Sequence, residues 1–374
     1  MRVARPLRNP WTRGVLVLAL LAAALLAVWW RGPDWNRVYH AFDFVEWRWV
    51  VLGFALNLVS VLFRSVSWNL TIGQALPEPQ PRFRAVFSAF GVGLLGNAVL
   101  PARAGELARV AVLRRHLPQD RGTGASATLL GTVFAHRLFD LFPVLLLVLY
   151  VLLTARIPHW AVTSLAVVGL VGVALFAVAM LSAKRGHWPA LDGAGTARRL
   201  LTMARQGLAV MKAPLPMAGA ILFQTLGWSV QLLAVYSVMR AFDIHAPLPA
   251  AGLVLLLMNV ATIFPLWPGN IGLLQAAVAL PLVRYGVAYP TGFAFGLVLQ
   301  VVEMSVGVGV GLIFLAREGV SFASLQRLEE QEERGRETTV EAQRVQEVEG
   351  GGAKLQAERE AEAERNRRCA RVPG

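Results

Sequence analysis

Charge is scarce in this chain. Asp, Glu, Lys and Arg together make up 16% of its 374 residues, against roughly a quarter in soluble domains. Hydrophobic residues reach 56%, which excludes a soluble fold and points to a polytopic membrane protein. Cysteine is nearly missing: the lone Cys369 excludes an internal disulfide framework and a cysteine-rich metal site. No His-x-x-x-His or paired-carboxylate pattern suggests a metal, so neither metal nor cofactor is expected. Acidic residues are few, 23 against 36 Lys+Arg, for a net charge of +13. Such a balance suits nucleic acid, but its distribution does not. Residues 321–374 hold 10 Lys+Arg against 12 Asp+Glu, so the basic excess lies upstream, in short loops between apolar runs. That is an orientation signal, with attraction to anionic lipid headgroups beside it; no nucleic-acid partner is expected.

The apolar runs set the topology. Arg2, Arg5, Arg8 and Arg13 precede an apolar run from Gly14 to Trp30, read as an uncleaved first span with its N-terminus in the cytoplasm. Full spans follow at Trp47–Gly73, Gly124–Thr154, Trp160–Ser182, Pro214–Met239 and Thr291–Ala316. Pro143 is expected to kink its span, and Gly307, Gly309 and Gly311 suit close helix packing. Two further apolar stretches, 85–118 and 250–287, are interrupted by prolines and glycines; each is expected to enter and leave by one side, as opposed re-entrant hairpins. The loops placed inside hold 17 Lys+Arg and those placed outside 6, as the positive-inside rule requires. The expected fold is an all-α inverted repeat with six full spans and both termini cytoplasmic. Its parts are an anchor span and outer loop (1–46), a first repeat (47–154), a linking span and basic cytoplasmic loop (155–213), a second repeat (214–320) and a charged cytoplasmic tail (321–374).

The first interruption is the stretch from Asn97 to Arg109. Pro101 removes a backbone donor from an apolar helix, and Arg103, Gly105, Glu106 and Arg109 follow at once. Broken backbone within a bilayer persists only where protein or a watery cavity surrounds it, and charge at such a break is a functional candidate. The plainer reading is a span that ends at Pro101. A second interruption carries Pro268, Gly269, Asn270, Gly272 and Gln275. Pro101 with Gly105 and Pro268 with Gly272 share the pattern Pro-x-x-x-Gly at an offset of 167 residues, which also carries His136 onto Glu303 and Arg64 onto Gln231. Paired broken segments in two halves mark a transporter's binding site. Within full spans, Asn57, Ser60, Arg64 and Ser67 form one polar stripe, and Arg137 and Asp140 stand at a spacing that lets them pair. Arg64 is either functional or a snorkelling arginine. Gln224, Ser229 and Gln231 read as inter-helix hydrogen-bonding residues.

The segment Asn97–Arg109, with Arg137-x-x-Asp140 and Pro268-Gly269-x-x-Gly272, resembles the lysylphosphatidylglycerol-synthase transmembrane family over roughly residues 14 to 316. Asn270, Gln275 and His136 depart from that pattern, the last two standing where glutamates are expected. The resemblance implies a flippase-like protein of a prokaryotic plasma membrane, without the soluble domain that lipid aminoacylation needs, and hence no enzyme. The substrate implied is an amphiphile with an anionic headgroup, a phospholipid or a prenyl-phosphate-linked intermediate. Arg103 and Arg109 would contact phosphate, with Glu106 balancing them or taking a proton. Arg64, Arg137–Asp140 and Glu303 would line the path, and Asn97, Asn270 and Gln275 would supply neutral hydrogen bonds. Glu106, Arg109, Arg137 and Asp140 equally suit a structural ion-pair network. A transporter of a small polar solute, and a non-transporting subunit docking a lipid- or glycan-modifying enzyme through its tail, are the alternatives. Membrane lipids are the expected partners, and the oligomeric state is open.

Overall fold

A computed structural model describes residues 33–76, 78–99, 105–118, 124–155, 162–163, 167, 169–170, 173–174, 213–263 and 270–317. The first span, most of the Trp160–Ser182 span, the basic loop after it and the tail lie outside the described residues. The chain divides into two units, Met1–Glu318 and Gly319–Gly374, and the description concerns the first.

Every element of the described residues is helical: α1 (Trp35–His40), α2 (Trp47–Ala75), α3 (Phe83–Val99), α4 (Gly105–Arg115), α5 (Gly124–Thr154), α6 (Pro214–Ala241), α7 (Leu248–Ile263), α8 (Leu273–Leu282) and α9 (Tyr289–Arg317). Four of these, α2, α5, α6 and α9, are long and apolar enough to cross a membrane. α5 runs through Pro143. α3 has 17 residues, α4 11, α7 16 and α8 10. At about 1.5 Å per residue none of those four bridges a hydrocarbon layer of about 30 Å.

Helix starts recur at similar spacings along the chain. α6 starts 167 residues after α2, α7 165 after α3, α8 168 after α4, and α9 165 after α5. α2 and α6 form the central pair and run antiparallel. A methyl group on Gly53 would meet Val238, and one on Gly219 would meet Leu70, while Ser67 Oγ donates to the Ala220 carbonyl at 2.8 Å. At their crossing Ser60 Oγ donates to the Gly227 carbonyl at 2.7 Å, and Arg64 Nη2 donates to Gln231 Oε1; each pair is 167 residues apart.

The short helices pack in pairs. α4 lies antiparallel on α3 at near-backbone contact: a methyl on Gly105 would overlap the Gly93 carbonyl, and one on Gly96 would lie 2.7 Å from Gly105 Cα. α7 and α8 are joined by Asn270 Nδ2 donating to the Ala261 carbonyl at 3.1 Å. α9 covers both pairs. Gly307 and Gly311 face Leu94 and Leu95 of α3, whereas Gly309 faces open space, so two of the three expected packing glycines act as such. At the other end of α9, Gly292 and Gly296 face Ala279 and Gln275 of α8.

Residues placed outside as a charged loop include one element that composition does not suggest. Asp34 caps α1 by accepting from the Asn36 and Arg37 amides, Val38 is buried, and Trp35 meets Phe293 edge-on at 5.7 Å. The α1–α2 and α6–α7 connections sit side by side, with Phe42 against Phe242 at 6.0 Å and the Glu46 amide donating to the Ala241 carbonyl at 2.9 Å. The loop charges predict both connections on one side of the membrane; the contact shows that they are neighbours.

Candidate functional site

The interior of the first half is polar at its centre. Arg64, Phe90, Gly93, Leu94, Asn97, Gly105, Arg109, His136, Arg137, Asp140 and Gln224 line a cavity of about 40 Å3. Its walls come from α2, α3, α4, α5 and α6. The glycines at the α3–α4 contact matter here: a Cβ on Gly93 would lie 2.9 Å from Arg109 Cβ, so only glycine lets α4 bring Arg109 against α3.

Ion pairs tie these helices together. Glu106 accepts from Arg109 Nη2 at 2.6 Å and from Arg137 Nε at 2.9 Å, with Arg137 Nη2 also paired to it. Arg137 Nη1 reaches Asp140 Oδ2 at 3.3 Å. Asp140 Oδ1 in turn accepts from Trp228 Nε1 at 2.8 Å and from Gln224 Nε2, both on α6. Thus one carboxylate bridges α4 to α5 and the other bridges α5 to α6. The network was the structural alternative in the sequence, and the pairing is what makes burial of these charges tolerable.

Arg64 stands apart. Its Nη2 donates to Gln231 Oε1, and Gln231 Nε2 donates to Glu303 Oε1 at 2.7 Å, so the carboxylate reaches the guanidinium only through an amide. No carboxylate among the described residues pairs with Arg64 directly. Aromatic faces support the arginines: Arg64 lies over Trp228 at 5.0 Å, and Arg109 lies over Trp68 at 4.9 Å and Phe90 at 5.7 Å. Trp68 is itself fixed by donating from Nε1 to Thr132 Oγ1 at 3.1 Å. The remaining edges face inward, and Arg64 Nε, Asn97 Oδ1, Arg109 Nε, His136 Nδ1 and Gln224 Oε1 are buried without a hydrogen-bond partner.

Of the residues expected at the site, Arg64, Asn97, Gly105, Arg109, Arg137 and Asp140 come together at the cavity, Glu106 links two of them, and Glu303 is joined through Gln231. Asn270, Gly272 and Gln275 do not line it. Gln275 Nε2 donates to Gln300 Oε1 at 2.5 Å and its Oε1 accepts from the Gly272 amide at 2.6 Å, which fixes the start of α8 against α9. Gly272 has φ 92°, a backbone region open to glycine at little cost. Pro101, Arg103, Pro268 and Gly269 lie outside the described residues. Sequence reasoning assigned no site role to Trp68, Phe90, Gln224, Trp228 or Gln231. A signal existed: 60, 64 and 68 on α2, and 224, 228 and 231 on α6, share one helical face. Ser229 is exposed, off that face.

A membrane-embedded helical domain with a buried arginine-rich cavity is therefore in hand. Residues 15–325 match the lysylphosphatidylglycerol synthase TM region, and the chain belongs to that family, a membrane domain related to lipid handling. No curated protein and no solved structure matches the chain.

Proposed function

We propose that the protein is a flippase that carries an amphiphile with an anionic, phosphate-bearing headgroup across the plasma membrane of a prokaryote. It works as a carrier without catalytic residues. The observation that carries this reading is the placement of Arg137. Its side chain is 45% exposed, at the edge of the α5 face that presents Phe134, Phe142, Leu146 and Leu149 outward, a face suited to lipid. From there Glu106 and Asp140 connect it to Arg109 and the cavity. A headgroup can exchange into such a charged track while its chains stay in lipid, and arginine suits phosphate through paired N–H donors. A route for a small solute alone has no use for a charge at the lipid-facing edge.

The antiparallel α2–α6 crossing and the register of the halves support an inverted repeat. On that reading α3–α4 and α7–α8 are the re-entrant hairpins, each too short to cross. The two halves rock about the crossing, which exposes the headgroup path to one side and then the other. Both termini face the cytoplasm.

The test is transport in vesicles of neutral lipid carrying fluorescent phosphatidylglycerol or fluorescent phosphatidylcholine. Equilibration of the anionic lipid across the bilayer, reduced by Arg137→Gln, is the expected result. Equal movement of both lipids, or of neither, removes the anionic-headgroup reading.

A further inference from the structure

We propose that the cavity between α2, α3, α4, α5 and α6 binds a compact inorganic anion, chloride under cellular conditions, between the Nε–H groups of Arg64 and Arg109. This site does not depend on lipid transport.

Geometry supports it first. Arg64 Nε and Arg109 Nε are both buried donors without an acceptor, and both side chains line the same cavity of about 40 Å3. Arg64 and Arg109 both line that space, so one particle bound in it has both as neighbours. Ligand sites for organic molecules run to hundreds of Å3, whereas a water needs roughly 10–15 Å3 by a comparable measure. The space admits a small ion with a water beside it.

Charge decides between an ion and water alone. Three guanidiniums, those of Arg64, Arg109 and Arg137, are held here against two paired carboxylates, Glu106 and Asp140. Glu303 reaches Arg64 only through Gln231. A water satisfies the two donors, whereas an anion satisfies them and adds attraction to both guanidiniums. The aromatic rings of Trp228, Trp68 and Phe90 lie 5.0, 4.9 and 5.7 Å from the guanidinium carbons, and the unpartnered Nε–H groups remain for a ligand. Asn97 Oδ1 and Gln224 Oε1, the unpartnered acceptors of the same cavity, suit the water next to the ion. His136 Nδ1 serves either as donor or acceptor according to its tautomer.

Binding of radioactive chloride to the full-length protein in neutral detergent, with gluconate as the counter-anion, tests this directly. Saturable binding to a single class of sites, displaced by bromide and not by gluconate, is expected. Arg64→Gln and Arg109→Gln should each weaken it by about tenfold or more, since each removes a hydrogen bond from a charged donor. Arg48→Gln, at a side chain 88% exposed, should leave it unchanged. Absence of saturable binding to the unmodified protein, or full retention in both cavity variants, overturns the proposal. A bromide-soaked crystal tests the same site without a variant: an anomalous peak touching both Nε atoms supports it, and a bromide bound only elsewhere refutes it. Loss of lipid transport in vesicles, with chloride binding intact, would overturn the flippase reading and leave this one standing.

Discussion

Replacing Glu106 by glutamine should be among the most destabilising single changes to the charged network, and its size follows from unequal burial of the two arginines it serves. Arg109 pairs with it at 2.6 Å and is 5% exposed at the side chain, while Arg137 is 45% exposed. Removing one partner of a buried pair costs about 3–5 kcal/mol, because the other charge stays buried and uncompensated. An exposed pair is worth about 0–1 kcal/mol. Arg109 therefore dominates, and Arg137 adds little because it is half exposed. Glutamine keeps the shape and one acceptor, so a loss of about 3 kcal/mol is expected, a large part of a stability of about 5–15 kcal/mol. The double variant Glu106→Gln/Arg109→Gln removes both charges together and should recover most of that loss. Thermal unfolding in detergent, run as a double-mutant cycle, measures the coupling. A Glu106→Gln protein as stable as the original, or a double variant as poor as the sum of the singles, would refute the assignment of Glu106 as the counter-charge of Arg109.

Other changes probe separate parts of the account. Gly105→Val should push α4 off α3, since even one methyl overlaps the Gly93 carbonyl; a loss of about 3 kcal/mol or more is expected in the same unfolding assay. Trp228→Phe keeps a ring under Arg64 but deletes the 2.8 Å bond to Asp140, at a cost of about 1–2 kcal/mol; scanning stability across α6 checks it. Gln231→Leu severs the link between Arg64 and Glu303, leaving two charges without their shared amide, and should lower stability by about 2 kcal/mol or more.

What could be read from the sequence, and what could not, follows from the range of the interactions. The spans at Trp47, Gly124 and Pro214 were legible because apolar length, proline and loop charge act locally, and the helices begin at those residues. The offset of 167 residues was visible in Pro101, Gly105, Pro268 and Gly272, and Ser60–Gly227 and Arg64–Gln231 hydrogen bonds give it a spatial meaning. Less legible was which polar residues converge. Gln224 and Gln231 read as inter-helix hydrogen-bonding residues, and they are, but their partners are Asp140, Arg64 and Glu303. Asymmetry between the halves was also hidden. Asn270 and Gln275 occupy the second interruption as expected, yet they bond to neighbouring helices of their own half and not to the cavity. No local pattern distinguishes an amide that braces a helix start from one that faces a ligand. α1 escaped notice because six residues with one buried valine carry almost no periodicity.

The central claim is that an anionic amphiphile is recognised at the arginine-rich interior of the first half. Native mass spectrometry of the protein purified with its co-extracted lipids tests it most directly, comparing the unmodified chain with Arg137→Gln and with Glu106→Gln/Arg109→Gln. The account predicts one class of phosphate-bearing lipid retained above its abundance in the membrane by the unmodified protein, and lost from both variants. Retention of bulk lipid in proportion to its abundance, unchanged by either variant, would contradict it.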